Sequence, residues 1–305
     1  MLLKKFKKRH TPSKVFKSLL ADLEKIRKNG DRVVLYGQNT GANWLGINIA
    51  TTLIFPEESL EIPQEFSSCM LSSNQQADLL NSIANLEFKT VIFSGFAEYG
   101  ASWVQQLKEH TQIEVIYHGT FAELHNPKNQ LRFAEITDLA LKGDIHKVGF
   151  ISKGMAGTVE KILGFDCYSI DIPKPSLTPL ENKIDLDPNL FHIGVFGGDT
   201  FNKNLHNQVA HALLMEQSIV HVADKSVFRY FGQDLRIVEH GKNLPREKFL
   251  QVLGSMDLNL YCSYSESWGL VVDESQAMGV PCLGPVNFDY KGAIEKIIKS
   301  QKPDH

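Results

Sequence analysis

The segment Tyr261-Cys-Ser-Tyr-Ser-Glu266-Ser-Trp-Gly269-Leu-Val-Val-Asp-Glu274-Ser-Gln-Ala-Met-Gly279-Val-Pro281 decides how the chain reads. Two carboxylates, Glu266 and Glu274, bracket a glycine and an apolar run, and the helical pattern that follows stops at Gly-Val-Pro. An apolar strand is expected over 258–261, then a polar turn, then a helix starting near Trp268 and Gly269. Strand, turn and helix in this order form the place where open α/β sheets bind ligands, because the first N–H groups of the helix point at the occupant of the turn. An anionic group is favoured there. Glu266 falls on the loop and Glu274 in the second turn of the helix, so each acid can grip hydroxyls without repelling the other. A sugar attached to a nucleotide offers hydroxyls at both ends.

The seven residues between Glu266 and Glu274, with Ser-Trp-Gly-Leu-Val inside the interval and Ala-Met-Gly-Val-Pro after it, resemble the donor-site signature of retaining GT-B glycosyltransferases of the glycosyl transferases group 1 type. The likeness is most specific from about 249 to 281. It implies an α/β GT-B fold, in which two Rossmann-like domains with parallel sheets face one another across a cleft. It further implies that Glu274 holds ribose hydroxyls and Glu266 the hydroxyls of the donor sugar, with Ser267, Trp268, Gly269 and Leu270 lining the donor site. Retention of anomeric configuration comes with the resemblance.

At 305 residues the chain exceeds what one hydrophobic core usually organises, and two domains are expected. It is 43% apolar and 22% charged, and its 32 basic against 35 acidic residues give a net charge of −3, which argues against nucleic acid as the main partner. Cys69, Cys167, Cys262 and Cys282 are far apart and form no close pair of the kind that marks a zinc site or redox motif, so reduced thiols in a cytoplasmic protein are expected. No apolar run reaches the ~18 residues that span a bilayer. Residues 1–10 hold five Lys or Arg and no acid, together with Leu2, Leu3 and Phe6. They read either as a frayed, solvated terminus or as a segment that rests on an anionic membrane face.

Strand, glycine turn and helix occur at the start of each half. Residues 31–37 form an apolar strand, and the glycine-rich loop that follows leads into a helix. The glycines lack the dinucleotide fingerprint spacing, so no nicotinamide or flavin cofactor is expected. By resemblance this loop, with Gly41 and Asn43, lines the acceptor side of the cleft; tight-turn chemistry is the other reading. Alternating strands and helices follow at a period of about thirty residues, as a parallel sheet with crossover helices requires. They comprise a short strand near 68–71, helices at 75–85, 99–110, 130–141 and 153–163, and strands over 88–94, 113–120, 147–152 and 167–172. His118 ends one of these strands, at the edge where such sheets place working residues, and the resemblance makes it a catalytic candidate beside Glu266.

Prolines between 173 and 188 mark a linker, which gives an acceptor domain over 1–178, a linker at 179–190 and a donor domain over 191–305. Asp185-Leu-Asp187 imitates a metal-binding motif but lies in this linker before Pro188 and is discounted, so no metal is expected. In the second half, strands are expected over 191–196, 218–222, 236–239 and 282–284, and helices over 205–215, 245–254 and 290–300. Lys203 stands just ahead of a helix start, where a cation can neutralise a diphosphate. By resemblance it is the family's phosphate-binding lysine, while Gly198 stands where an arginine is usual; a solvated lysine is the alternative. The stretch His240-Gly241-Lys242 to Leu244 is placed near the nucleotide base on the same grounds. The resemblance also leads one to expect a further strand and a helix crossing back to the first domain, and the sequence ends at His305 without them.

The chain therefore reads as a transferase for polysaccharide or glycolipid synthesis that takes a nucleotide diphosphate sugar to a glycan or lipid-linked acceptor, without a metal. The rival readings are a partner-dependent, non-catalytic subunit, and an epimerase or phosphorylase on the same fold.

Overall fold

A computed structural model describes residues 12–38, 45–63, 71–152, 154–177, 183–242 and 244–284. The first half contains α1 (Pro12–Asn29), β1 (Arg32–Gly37), α2 (Leu45–Ile54), β2 (Ser59–Ile62), α3 (Ser73–Asn85), β3 (Thr90–Ser94), α4 (Gly100–Leu107), β4 (Gln112–Tyr117), α5 (Pro127–Leu141), β5 (Lys147–Phe150), α6 (Met155–Leu163) and β6 (Cys167–Ser169). Its strands form one parallel sheet in the order β2-β1-β3-β4-β5-β6. Strand burial on both faces explains the near-continuous apolar runs, since helices cover each side of a parallel sheet. Val33 and Leu35 face a large core that includes Leu23, Leu79, Phe93, Trp103 and Phe150. Val34 points the other way, into a smaller cluster with Phe55, Ile92, Ile116 and Ile151. Trp268, from the second half of the chain, packs against that smaller cluster.

The second half contains β7 (Phe191–Val195), α7 (Leu205–Leu213), β8 (Ser218–Val222), α8 (Phe228–Phe231), β9 (Ile237–Glu239), α9 (Arg246–Gly254), β10 (Leu258–Leu260), α10 (Leu270–Ala277) and β11 (Cys282–Leu283). The sheet is again parallel, in the order β11-β10-β7-β8-β9. Counted from its own first strand this is the Rossmann order, and the direction of winding reverses between β7 and β10. In the first sheet the reversal lies between β1 and β3. Between the sheets, the described parts of 170–190 hold no helix or strand; Leu177, Ile184 and Leu186 pack on the core of the second sheet, and the Ile184 N–H donates to Ser255 Oγ at 2.8 Å. Asp187 uses a carboxylate oxygen to accept from the Asn189 N–H at 3.0 Å.

Several elements differ from expectation. β2 falls where no strand was expected, because four residues with only Leu60 and Ile62 buried are too few to show a period. The strand expected near 68–71 and the helix expected over 290–300 lie mostly or wholly outside the described residues. α8 is a single aromatic turn between 222 and 236, where neither helix nor strand was expected, and β6 stops at Ser169, three residues early. Among the described residues Cys167, Cys262 and Cys282 are free thiols, and no helix is long and apolar enough to cross a membrane.

Candidate functional site

The winding reversal of the second sheet brings two loops together at the carboxyl ends of β7 and β10. The first runs Phe196-Gly197-Gly198-Asp199-Thr200 into a 3₁₀ turn, Phe201–Lys203, and then passes through Asn204, a non-glycine residue in the left-handed region (φ 54°), before α7. The second runs from Tyr261 to Gly269, whose φ of 85° turns the chain into α10. Hydrogen bonds stitch them: the Tyr264 N–H donates to Asn202 O at 2.8 Å, Asn204 Nδ2 to Cys262 O at 3.2 Å, and the Cys262 N–H to Gln208 Oε1 at 2.7 Å. Lys203 and Glu266 are fixed against one another by this frame.

Lys203 Nζ lies 2.6 and 2.8 Å from the two carboxylate oxygens of Glu266 and 3.1 Å from the Tyr261 hydroxyl. Burial opposes the Lys203 charge, but Tyr261 and Glu266 more than offset it and raise the ammonium pKa, so the lysine is a permanent cation. Burial pushes the Tyr261 phenol up to about 12 despite the neighbouring ammonium. Gly198 is exposed and a side chain there would meet open space, so a cation is missing from this position although there is room for one.

Glu274, on α10, is fully buried. Its Oε1 is bound by Arg246 from the start of α9, while Oε2 has no partner among the described residues. Burial raises the Glu274 pKa, and Arg246 works in the opposite direction. A buried acceptor without a donor is costly, and a ligand hydroxyl would satisfy it.

The first sheet meets this site across the cleft. Ser265 Oγ donates to Thr120 Oγ1 at 3.0 Å, and the rings of His125 and Phe201 approach edge-on at 6.3 Å. Glu123 caps Thr120 by accepting its N–H at 3.1 Å; burial raises its pKa, and it feels both Lys203 and Glu266. Trp268 donates its Nε1–H to Asp273 at 2.8 Å while its ring rests on the first sheet; Ser267 is half-buried beside it, and Leu270 opens α10.

His118 follows β4 and sits in an ordered chain. Its Nε2 is 2.9 Å from Ser94 Oγ, which is 2.6 Å from Thr51 Oγ1, which donates to Ile47 O at 2.7 Å. The last carbonyl only accepts, so Ser94 must donate to Thr51 and His118 must donate from Nε2, leaving Nδ1 as a lone pair. Burial pushes the His118 imidazole down to about 3, so it is neutral near pH 7 and acts as an acceptor, not as a cation.

The site residues legible in the sequence thus fall into two groups. Lys203, Glu266 and Gly269 lie at the winding reversal, with Glu274 in the helix behind them, and His118 directly follows a strand of the opposite sheet. Gly41, Asn43 and the basic segment 1–10 lie outside the described residues, as does Asn243. Of the stretch placed near the base, Lys242 pairs with Asp224 at 2.7 Å and Leu244 packs into the core beneath α9. Sequence reasoning missed Tyr261, Arg246, Ser94, Thr51 and Glu123. Arg246 carried a signal: a cation in the first turn of a helix is unfavourable to the dipole and calls for a buried anion nearby.

No protein-family model matches the sequence, and no curated protein matches it. Solved structures do resemble it in shape. Anabaena HepE in complex with UDP and glucose is 14% identical, with a TM-score of 0.55 over 83% of this chain and 80% of that one. HepE in complex with UDP-glucose is 13% identical, with a TM-score of 0.54 over 88% and 90%. A UDP-forming α,α-trehalose-phosphate synthase from Burkholderia vietnamiensis is 8% identical, with a TM-score of 0.51 over 89% and 92%. With its two parallel sheets, each wound about its own reversal point, the chain has the GT-B fold.

Proposed function

We propose that the protein is a glycosyltransferase that moves a sugar from a nucleotide diphosphate donor to a glycan or lipid-linked acceptor, with retention and without a metal ion. The observation that carries this reading is the Lys203–Glu266 pair at the reversal point of the second sheet, beside a buried Glu274 that has one unpartnered oxygen. A diphosphate competes with Glu266 for Lys203. Once displaced, Glu266 is free to accept hydroxyls of the donor sugar, while Glu274 Oε2 takes a ribose hydroxyl. Lys203 and the N-terminus of α10 then stabilise the charge that develops on the departing nucleotide diphosphate, a task for which preorganised charge is most effective. His118, neutral and held by Ser94, accepts from a hydroxyl on the acceptor side of the cleft. HepE and the trehalose-phosphate synthase, similar in fold, are described with UDP or as UDP-forming, which agrees with a nucleotide sugar here.

The test is release of nucleoside diphosphate from UDP-, GDP- and ADP-sugars by the purified chain, with and without chelator. Glu274→Ala should abolish turnover while the fold persists; unchanged turnover in that variant would sink the donor-site assignment. A cytoplasmic location, with membrane contact through residues 1–10, belongs to the same proposal, and co-sedimentation with anionic vesicles checks it.

A further inference from the structure

Three histidines form one hydrogen-bonded row across the second sheet. His192 Nδ1 on β7 is 2.9 Å from His221 Nε2 on β8, and His221 Nδ1 is 2.8 Å from Nε2 of His240, just past β9. The inner end of the row, His192 Nε2, is 2.9 Å from the carbonyl oxygen of Asp187. His192 and His221 are buried and His240 is half-buried. Their nitrogens pair with one another instead of converging on a common point.

The row has a determined proton order. A carbonyl only accepts, so His192 carries its proton on Nε2 and offers Nδ1; His221 donates to it from Nε2 and offers its own Nδ1; His240 donates to that from Nε2. Burial, helped by the two neighbouring rings, holds the His221 imidazole down to about 4, and burial also lowers His240, so these two rings are neutral near pH 7. The order ends on the lone pair of His240 Nδ1, which has no partner among the described residues. An isolated histidine could turn over or change tautomer to suit either kind of ligand. His240 can do neither without breaking its bond to His221.

His240 stands at the carboxyl edge of the sheet, two strand spacings or ~10 Å from β7, whose turn leads to Lys203. A nucleotide held at a Rossmann reversal point runs from the turn after the first strand towards the end of the second. The Phe196 ring lies along this path, 6.5 Å from His240 and 5.6 Å from Phe249 on α9. We propose that His240 Nδ1 is a fixed hydrogen-bond acceptor for the ring N–H of the donor's nucleobase. The site therefore takes uracil, thymine or guanine and disfavours cytosine and adenine, whose ring nitrogen at that edge is itself an acceptor. This rests on the nucleotide-site reading above. Two facing lone pairs cost the wrong base roughly ten- to a hundredfold in affinity.

Calorimetry on the full chain with UDP, GDP, CDP and ADP tests it. UDP or GDP should bind at least about tenfold more tightly than CDP and ADP, and His240→Phe should abolish this gap by weakening the favoured ligands and relieving the penalty on CDP and ADP. A gap that survives in His240→Phe, or none in the parent, overturns the assignment while leaving the nucleotide site intact; a parent that binds none of the four overturns both. Histidine ¹⁵N spectra of the ligand-free parent need no variant. Protonated Nε2 and bare Nδ1 at positions 192, 221 and 240 are expected, and a proton on His240 Nδ1 overturns the relay.

Discussion

Lys203 and Glu266 neutralise one another, with side chains 22% and 9% exposed, so each is the other's main counter-ion when no ligand is bound. Lys203→Ala should weaken nucleoside diphosphate binding by roughly tenfold or more while scarcely changing that of the bare nucleoside, since a charge-assisted hydrogen bond is worth about 1.5–3 kcal/mol. It should also destabilise the free protein by leaving Glu266 without its cation, and Glu266→Gln on the same background should restore part of that loss; denaturation in urea reads both. Gly198→Arg adds charge where there is open space and should tighten diphosphate binding; no gain would mean the phosphates do not pass this turn. His118 offers a pH test. Its folded-state value near 3 lies below its ordinary 6.5, so the unfolded chain binds more protons between the two. Stability should be fully present above about 6.5 and fall as the pH drops towards 3, with His221 contributing down to about 4. A variant lacking the imidazole, His118→Gln, should flatten the slope of unfolding free energy against pH.

At the scale of elements, α10 depends on its entry. Gly269 adopts φ 85° at the N-cap, where a Cβ is strained, and Gly279 adopts φ 76° beyond the C-terminus of the same helix. Replacing either by alanine should cost about 1–2 kcal/mol, but only Gly269→Ala should also impair nucleotide diphosphate binding, because it re-aims the first amides of α10. Equal effects on binding would show that α10 acts only as packing. The helix, its stop and the strand before it were legible because apolar spacing, glycine and proline agreed over more than twenty residues. β2 and α8 were not, since four residues carry no period and their form is set by what they pack against. The site divides the same way. Glu266, Glu274 and Lys203 announce themselves by charge and spacing, whereas Ser94, Thr51 and Arg246 matter through partners more than twenty residues away, which no local pattern encodes.

For the whole molecule, the segment from Ser265 to Trp268 does two things at once. It carries Glu266 to Lys203, and it packs Trp268 against the cluster of Val34, Phe55, Ile92, Ile116 and Ile151 in the first half of the chain while Ser265 reaches Thr120. The polar half of this contact is a single hydrogen bond between hydroxyls and is worth about 1 kcal/mol. The apolar half is larger, so the tryptophan sets how the two sheets face one another. Trp268→Ala should therefore cost roughly 2–3 kcal/mol, below the range for a fully buried tryptophan, and should raise the radius of gyration in small-angle scattering. Nucleotide binding should persist, because Lys203, Glu266 and Glu274 all belong to the second sheet, but transfer should fall sharply, because His118 belongs to the first. If scattering and transfer are both unchanged, Trp268 is a passenger and some other contact holds the cleft; if nucleotide binding is lost as well, the ring is part of the donor pocket itself.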